Sequence, residues 1–295
     1  MMTAYGTIEK AVQAIREGAR DYLVKPFESD ELLQIVEAVL PVLDTTDNLI
    51  AVDANIKKLK EWVQRVAESE ATVLLNGESG VGKELVASTI HYASGRSERR
   101  FLTINCAALT DTLLESQLFG HVKGAFTGAT STHRGLVEEA SQGTLFLDEI
   151  GVMSPALQTR LLRVLAQSEF YRVGGQTSIK VDVRVIAATN QDLARAVKES
   201  RFREDLFHRL NVIRIHIPSL RERREDIPTL LNHFLAQAAK EMNTPVKTLP
   251  KNLQDYLSSL DWADNVRQLE NTCRWLNVMA AGKEVLLEDL PPELI

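Results

Sequence analysis

The sequence predicts an α/β fold in which a parallel sheet is flanked by helices, followed by a small helical subdomain. Between residues 49 and 218, short apolar segments alternate with stretches of helical periodicity, a pattern typical of parallel sheets covered on both faces. The predicted strands are residues 71–76, 101–105, 143–149 and 183–190. From residue 224 to residue 282 the periodicity is helical only, which predicts the second subdomain.

Changes in this pattern divide the chain of 295 residues, a length typical of about two domains, into segments. Residues 1–44 predict two helices and one or two strands, which are too few to bury a full core. We therefore expect this segment to be part of a domain. Residues 45–48 form a polar linker, residues 49–222 the α/β core and residues 223–295 the helical subdomain.

The composition is that of an ordinary globular protein, with 44% hydrophobic and 25% charged residues. No apolar run approaches the ~18 residues that span a membrane, and the N-terminus lacks a signal-peptide pattern. The net charge of −6 argues against a generally basic nucleic-acid-binding surface. Cys106 and Cys273 lack metal-ligand spacing, so we expect buried thiols in a reducing, cytoplasmic setting.

The segment GESGVGKE, residues 77–84, follows a predicted strand and opens a predicted helix. In that context a G-x-x-x-x-G-K pattern predicts a site for nucleotide phosphates, because glycines turn backbone N–H groups inward. Lys83 adds a mobile positive charge, and Glu84 stands where the general pattern has a magnesium-binding Ser or Thr. A simple glycine-rich turn is the alternative. The candidate cofactor-binding residues are Gly77, Glu78, Ser79, Gly80, Val81, Gly82, Lys83 and Glu84.

An acidic pair follows the apolar segment GTLFLDE, residues 143–149. The strand delivers Asp148 and Glu149 to the carboxyl end of the sheet, where open α/β sheets bind ligands. Asp148 is suited to hold Mg²⁺ through water, and Glu149 to orient and deprotonate an attacking water. A solvated turn is the alternative, but the phosphate motif upstream favours a catalytic pair and predicts ATP with Mg²⁺ as cofactors.

Six segments appear together in the order typical of one family: GESGVGKELVA, ESQLFGHVKGAFTGA, GTLFLDEIG, LQTRLLRVL, FREDLFHRLNVIRIHIPSLRERREDIP and NVRQLENTCRWL. The sequence thus resembles the AAA+ ATPase domain of NtrC-type activators of sigma-54 RNA polymerase, the bacterial enhancer-binding proteins. The resemblance implies a P-loop AAA+ domain with a helical lid and a role in nitrogen regulation. Glu84 agrees with this family, whereas Val81 replaces a threonine common in it and loses a hydroxyl contact.

The resemblance implies roles for polar residues at two strand ends. Asn105 would hold Glu149 in an inactive pose, and Thr189 and Asn190 would sense the γ-phosphate. Without the family, each is a polar group that closes the end of a strand.

Two arginines, Arg203 and Arg209, match the fingers that reach the nucleotide of a neighbouring subunit and stabilise charge in the transition state. The alternative, favoured for at least one of them, is local pairing with Glu204 or Asp205. On a continuous helix the two arginines would lie about 240° apart, so we expect them to have different roles.

Arg267 matches the lid arginine that contacts the phosphates of its own subunit. Ala263 and Asp264 replace the Pro-Gly usual before this motif. Asp264 is an acceptable N-cap, but its carboxylate is expected to weaken the nucleotide response. The nearby segment RERRED is predicted to be a solvated helix start.

The GAFTGA loop would contact sigma-54 through Gly124, Ala125, Phe126, Thr127, Gly128 and Ala129. Its glycines would let the backbone swing with the state of the γ-phosphate, and Phe126 would supply an exposed aromatic anchor. Without the family, Phe126 is predicted to lie buried below a turn.

The ends of the chain resemble parts of larger domains. Residues 1–40 resemble the last third of a response-regulator receiver domain, with Thr3 as switch residue and Lys25 as phosphate contact. The final 28 residues carry two basic and five acidic side chains, the wrong sign for DNA reading. We therefore expect a fragment: a partial receiver, a complete motor and no helix-turn-helix DNA-binding domain.

The leading functional hypothesis is an ATPase of a two-component activator that remodels the sigma-54 closed promoter complex. It would act as a homo-oligomeric ring, hexameric or heptameric, with sigma-54 as partner and no sequence-specific DNA contact of its own. The alternative is a nucleotide-binding interaction protein that hydrolyses ATP poorly. A AAA+ chaperone or clamp loader is disfavoured because those families lack GAFTGA.

Overall fold

The computed structural model describes residues 2–3, 23–24 and 49–295. The chain divides into two units, residues 1–44 and residues 45–295. In the first unit, strands β1 (Met2–Thr3) and β2 (Leu23–Val24) pair in parallel. The helices predicted for this unit and Lys25 lie outside the described residues, and only the backbone of Thr3 is described. The receiver-like assignment therefore stays a prediction.

A five-stranded sheet in the order β4-β5-β8-β3-β9 forms the centre of the second unit, and all its neighbours pair in parallel. The strands of this unit are β3 (Val73–Asn76), β4 (Phe101–Asn105), β5 (Thr144–Asp148), β6 (Glu169–Tyr171), β7 (Ser178–Lys180), β8 (Arg184–Thr189) and β9 (Ile213–His216). The parallel sheet and the four predicted central strands are confirmed, with ends shifted by one or two residues at most.

Three strands were not predicted. Edge strand β9 has the sequence IRIH, in which only Ile215 is fully buried and a charged or polar residue alternates with each isoleucine. Strands β6 and β7 form an antiparallel hairpin of three residues each, with Phe170 as the single buried side chain. Such short, half-exposed segments carry little periodic signal.

Helices cover both faces of this sheet and form the C-terminal subdomain. They are α1 (Ala54–Ala67), α2 (Lys83–Tyr92), α3 (Asp111–Phe119), α4 (Leu136–Glu139), α5 (Pro155–Gln167), α6 (Leu193–Lys198), α7 (Glu204–Leu210), α8 (Ile227–Met242), α9 (Lys251–Ser259) and α10 (Asn265–Met279). Short 3₁₀ turns lie at Ile150–Val152, Leu220–Glu222, Arg224–Asp226, Leu287–Asp289 and Pro292–Leu294. Among the described residues, no helix is long and apolar enough to cross a membrane.

Two apolar clusters sandwich the sheet because successive strand residues point to opposite faces. In β5, Leu145 and Leu147 join the cluster packed by α3, α5 and α7, whereas Phe146 joins the cluster packed by α1 and α2. A third cluster is formed mainly by α8, α9 and α10. Both cysteines are buried and free, as expected, and burial raises the pKa of each thiol to about 12.

Candidate nucleotide site

The phosphate motif forms a loop between β3 and α2 whose backbone requires glycine. Gly80 and Gly82 have φ angles of 74° and 100°, in the left-handed region that residues with a Cβ seldom adopt. A Cβ at Gly82 would meet no atom within 4 Å, whereas one at Gly80 would clash with the carbonyl oxygen of Asp264. The loop is therefore open at Gly82 and in close contact with the lid at Gly80.

Lys83 is the first residue of α2, and its side chain is only 7% exposed. Its Nζ donates to the carbonyl oxygens of Gly77 and Glu78, each at 3.1 Å, and lies 3.5 Å from Oε1 of Glu149. The loop thus folds back around its own lysine. The ammonium group is held between the phosphate loop and the acidic pair at the end of β5.

The acidic pair lies where the sequence predicts, at the carboxyl end of a central strand. Asp148 ends β5, and its Oδ1 accepts a hydrogen bond of 3.0 Å from the backbone N–H of Glu149. Glu149 has a φ of 52°, a strained backbone for a residue with a Cβ that often marks functional sites. Burial raises the pKa of the Asp148 carboxyl, and the charge of nearby Lys83 opposes part of that rise.

Asn105 contacts a different carboxylate from the expected one. Strands β4 and β5 pair Asn105 with Asp148 directly, and the Asn105 amide nitrogen donates to Oδ2 of Asp148 at 3.4 Å. Its amide oxygen accepts from the N–H of Ala107 at 2.8 Å, closing the turn after the strand. The expected contact of Asn105 with Glu149 is therefore absent in this conformation. Glu149 lies one residue beyond the paired end of β5, and its side chain turns toward Lys83.

The two residues at the end of β8 differ in how they face the site. The buried Thr189 hydroxyl accepts from the N–H of Gln191 at 3.0 Å, so its side chain closes the turn. The backbone N–H of Asn190 donates to Oε2 of Glu149 at 3.4 Å. The contact from this strand to the acidic pair is thus made by backbone, and the γ-phosphate role of both residues stays a prediction.

Arg267, on the first turn of α10, reaches the loop from the lid. Its Nη1 donates to the Ser79 hydroxyl at 3.0 Å, and its backbone N–H donates to the carbonyl of Gly80 at 3.2 Å. Asp264 occupies the N-cap position but makes no side-chain cap. Its carboxylate lies 3.4 Å from Arg267 Nη1 instead. The expectation that the Asp264 side chain caps α10 is therefore wrong. The expectation that its carboxylate lies near the lid arginine is confirmed.

Arg203 and Arg209 do not share one continuous helix. Arg203 is the N-cap residue of α7, which begins at Glu204, so the 240° separation does not apply. Arg203 pairs with Asp205 at 2.7 Å, the predicted local alternative. Arg209 is exposed, and its side chain has no hydrogen bond or ion pair with any residue in the described ranges.

The segment that carries Arg203 is held by Gln158, a residue that the sequence analysis did not single out. Gln158 lies on α5 and is fully buried. Its amide nitrogen donates to the carbonyls of Met153 at 2.7 Å and Arg201 at 3.1 Å, and its oxygen accepts from the N–H of Arg203 at 2.9 Å. The sequence signal is a glutamine on the helix face that Leu161 and Leu162 mark as apolar, because a polar side chain on such a face needs hydrogen-bond partners.

The GAFTGA loop is closed by backbone hydrogen bonds of its own. Gly124 and Gly128 have φ angles of 84° and 102°, and the N–H of Gly124 donates to the carbonyl of Ala129 at 2.9 Å. Phe126 is half-buried, with its ring edge-to-face against His121 at a centroid distance of 4.9 Å. The aromatic is therefore neither the fully exposed anchor nor the buried turn residue expected. Thr127 is exposed beside it.

The prediction of a solvated helix start for RERRED is partly wrong. The segment forms two 3₁₀ turns, and Arg223 and Asp226 inside it are buried. The Arg223 Nη2 donates to the carbonyl of Val81 at 3.0 Å. Val81 itself is 4% exposed and packs in the core beneath the loop, while Glu84 is exposed. The segment is therefore a junction between loop and lid.

Comparison with known families accounts for nearly the whole second unit. The sigma-54 interaction domain matches residues 49–216, and the AAA+ ATPase lid domain matches residues 221–295. The chain belongs to the sigma-54 interaction domain family. The resemblance and the fold class inferred from the sequence are confirmed, since the parallel sheet and the helical lid are both present.

Similar proteins cover the whole chain. It is 53% identical over 306 residues to the DNA-binding transcriptional regulator NtrC of Salmonella typhimurium, covering 100% of this chain. It is 46% identical to the regulatory protein AtoC of Escherichia coli, covering 100% of this chain and 67% of AtoC. The chain spans 65% of the length of that NtrC relative.

Solved structures of NtrX from Brucella abortus have the same fold. The complex with ADP aligns with a TM-score of 0.78 at 36% identity, covering 100% of this chain and 67% of NtrX. The complex with ATP aligns with a TM-score of 0.77 at the same identity. The chain therefore contains a sigma-54 interaction domain followed by a AAA+ ATPase lid domain, and it is similar to the transcriptional regulator NtrC.

Proposed function

We propose that this chain is an ATPase that binds ATP with Mg²⁺ between its phosphate loop and lid and acts on sigma-54. The observation that carries the proposal is the meeting of Lys83 Nζ with Glu149 Oε1 at 3.5 Å, beside Asp148 and opposite the lid arginine. A phosphate-loop lysine, carboxylates for the metal and the attacking water, and an arginine that neutralises phosphate charge are recurring parts of phosphoryl-transfer sites.

The residues of the site fit a nucleotide with its cation. Left-handed Gly80 and Gly82 leave the loop backbone free to face phosphates, and open space lies over Gly82. Mg²⁺ is usually held by one or two carboxylates together with substrate phosphates, which Asp148 alone can satisfy. Among the described residues, no cluster of three or more His, Cys, Asp or Glu forms a separate metal cage.

The protein groups divide the chemistry between them. Mg²⁺ would neutralise phosphate charge when bound. Lys83 would exchange its carbonyl partners for phosphate oxygens, and Glu149, oriented by the Asn190 N–H at 3.4 Å, would accept the proton of the attacking water. Asn105 would act on the pair through Asp148. Arg267 would contact the phosphates of its own subunit from the lid.

Oligomerisation would complete the site. Arg209 is exposed and unpaired within the described part of the chain, which suits a finger that reaches a neighbouring nucleotide. Arg203 would first have to leave Asp205. The homo-oligomer, a hexameric or heptameric ring, would place the arginine of one subunit at the nucleotide of the next.

The GAFTGA loop is the proposed contact with sigma-54. Its two left-handed glycines and a half-buried Phe126 give it a defined resting shape from which the aromatic can be released. Movement driven by hydrolysis would remodel the closed promoter complex. From the resemblance to NtrC-type activators we propose cytoplasmic nitrogen regulation, as part of a two-component system, with no base-specific DNA contact from this chain.

A nucleotide-binding protein with poor turnover is the second candidate. The observation that favours it is the Asp264 carboxylate at 3.4 Å from Arg267, where it competes with phosphate for the lid arginine. The two candidates differ in turnover and agree in nucleotide binding.

The test is the ATPase rate of the purified chain as a function of its concentration, beside Glu149→Gln and Arg209→Ala. We expect a rate per subunit that rises steeply with concentration, and that Glu149→Gln abolishes. Arg209→Ala should remove the rise while leaving nucleotide bound. A flat, negligible wild-type rate with nucleotide still bound would overturn the enzyme and leave the second candidate.

A further inference from the structure

The side chain of Glu78 faces the lid, although its sequence position lies inside the phosphate motif. Its two carboxylate oxygens accept from the two Nη groups of Arg221, one at 2.8 Å and the other closer still. The Asn265 amide donates to the same carboxylate at 3.1 Å. Bidentate pairing of this kind is geometrically specific as well as strong, and together these partners lower the pKa of Glu78 to about 2.

Asn265 is the buried partner of Glu78 in this contact. It is the first residue of α10, fully buried, with a left-handed φ of 54°. Its amide oxygen accepts from the N–H of Leu220 at 2.7 Å, and its amide nitrogen donates to Glu78 and to the carbonyl of Ser79 at 3.0 Å. Every polar atom of the side chain is used. Removal of the Glu78 charge would weaken the bond from this buried amide and break the bidentate pair with Arg221, which together cost more than a lone surface ion pair is worth.

The same contacts determine where Arg267 lies. Arg267 follows Asn265 by two residues on the first turn of α10, so the tie from Asn265 to the loop fixes the start of that helix. Arg221 ties the loop to the segment where the lid begins. Glu78 is thus the one side chain of the loop that, among the described residues, holds both of these lid segments.

We propose that Glu78 is a positioning residue that acts through Arg221 and Asn265 to hold Arg267 over the bound nucleotide. The inference rests on the proposed nucleotide site and deepens it. Glu78 would touch no phosphate. It would fix the position of the lid relative to the phosphate loop, so that Arg267 lies within reach of the phosphates.

A double-mutant cycle on the full chain tests this, with fluorescently labelled ADP as the probe and dissociation constants as the readout. We expect Glu78→Gln to weaken binding by about tenfold, as for loss of a charged hydrogen-bonded partner. Arg267→Ala should weaken it at least as much. The two changes together should be no worse than Arg267→Ala alone, because Glu78 acts through that arginine.

A matched control separates this role from general stability. Glu241 in the lid is 44% exposed and pairs with Arg274 at 41%, close to the 45% and 41% of Glu78 and Arg221. Glu241→Gln should leave binding unchanged. Arg221→Gln should reproduce the loss caused by Glu78→Gln, with thermal unfolding confirming that each variant is folded.

The outcomes are distinct. Non-additive losses support the inference. If the two losses multiply, or if Glu78→Gln behaves like Glu241→Gln, the inference is overturned while the nucleotide site stands. If the wild-type chain fails to bind labelled ADP, the proposed function is overturned and the inference with it.

Discussion

The phosphate loop has two sides that are held in different ways. On the sheet side, parallel register places Asn105 beside Asp148 and Asn76 beside Thr189, so the groups near the acidic pair are fixed by backbone pairing. On the lid side, side chains make most of the contacts, and two of the pairs, Glu78 with Arg221 and Arg267 with Asp264, are half-exposed. Backbone pairing resists local change, whereas exposed side-chain pairs exchange partners readily. We infer that the sheet side holds the groups that carry out hydrolysis, whereas the lid side sets how tightly the nucleotide is bound.

The largest effect is expected on the sheet side, from Lys83→Ala. The substitution removes the buried ammonium that three oxygens surround, so we expect labelled ADP to bind about a hundredfold more weakly or worse. The exposed Lys57 on α1 provides the control as Lys57→Ala, which should bind normally. Undiminished binding by Lys83→Ala would show that the sheet side does not hold the phosphates.

The GAFTGA loop belongs to neither the sheet side nor the lid side of the phosphate loop, so a substitution there should affect sigma-54 binding and not nucleotide chemistry. Gly124 has a φ of 84°, and a Cβ there would meet no atom within 4 Å. Gly124→Ala therefore adds backbone strain of about 1–2 kcal/mol without a clash. We expect about fivefold or more weaker binding to purified sigma-54, measured by fluorescence anisotropy, with an unchanged ATPase rate.

The matched control for that substitution is Gly95→Ala. A Cβ at Gly95 also meets nothing within 4 Å, and Gly95 does not have a positive φ. It should leave sigma-54 binding intact. Equal losses from the two variants would mean that the loop geometry does not matter for the contact.

A smaller effect of opposite sign is expected on the lid side from Asp264→Asn. The change removes the carboxylate that competes for Arg267 but keeps its size, and half-exposed pairs of this kind contribute about 0.2–1 kcal/mol. Affinity for labelled ADP should rise by about two- to fivefold. Asp261→Asn, which disrupts the exposed pair with Arg224, should leave affinity unchanged. A fall in affinity for Asp264→Asn would show that this carboxylate supports the site.

The smallest effect concerns pH and stability. The pKa of Glu78 is lowered to about 2, first by Arg221 and then by Asn265, with His216 also facing it. A lowered pKa contributes stability that is present above the unfolded value of 4.5 and is lost as pH falls toward 2. The difference in melting temperature between wild type and Glu78→Gln should stay constant from about pH 6 to 8. This difference in melting temperature should become smaller below about pH 4.5. A difference that already disappears near pH 6 would contradict the pairing of Glu78 with Arg221.

Much of the sheet side could be predicted from sequence because its signals are local. Apolar segments ending in Asp148, Asn105 and Thr189 indicate strands, and parallel strands deliver their last residues to one edge. Which carboxylate Asn105 meets depends on the turn taken by Glu149, and no periodicity encodes that choice. Edge strand β9 was missed because half of it is polar.

The lid side could not be predicted in the same way. Glu78 is 143 residues from Arg221 and 187 from Asn265, so their meeting depends on how two subdomains dock. The segment around Arg223 looked solvated because it is rich in charge, yet docking buries it against the carbonyl of Val81. Local pattern carries no information about such a junction, whereas the family motif does indicate that an arginine lies there.

The most direct test of the division between the two sides is a parallel measurement of labelled-ADP affinity and maximal ATPase rate for Glu149→Gln and Arg267→Ala. The account predicts that Glu149→Gln binds nucleotide normally and has lost turnover. Arg267→Ala should bind weakly and recover much of its turnover at saturating ATP. If Glu149→Gln instead loses affinity, or Arg267→Ala keeps full affinity, chemistry and response are not separated across the phosphate loop.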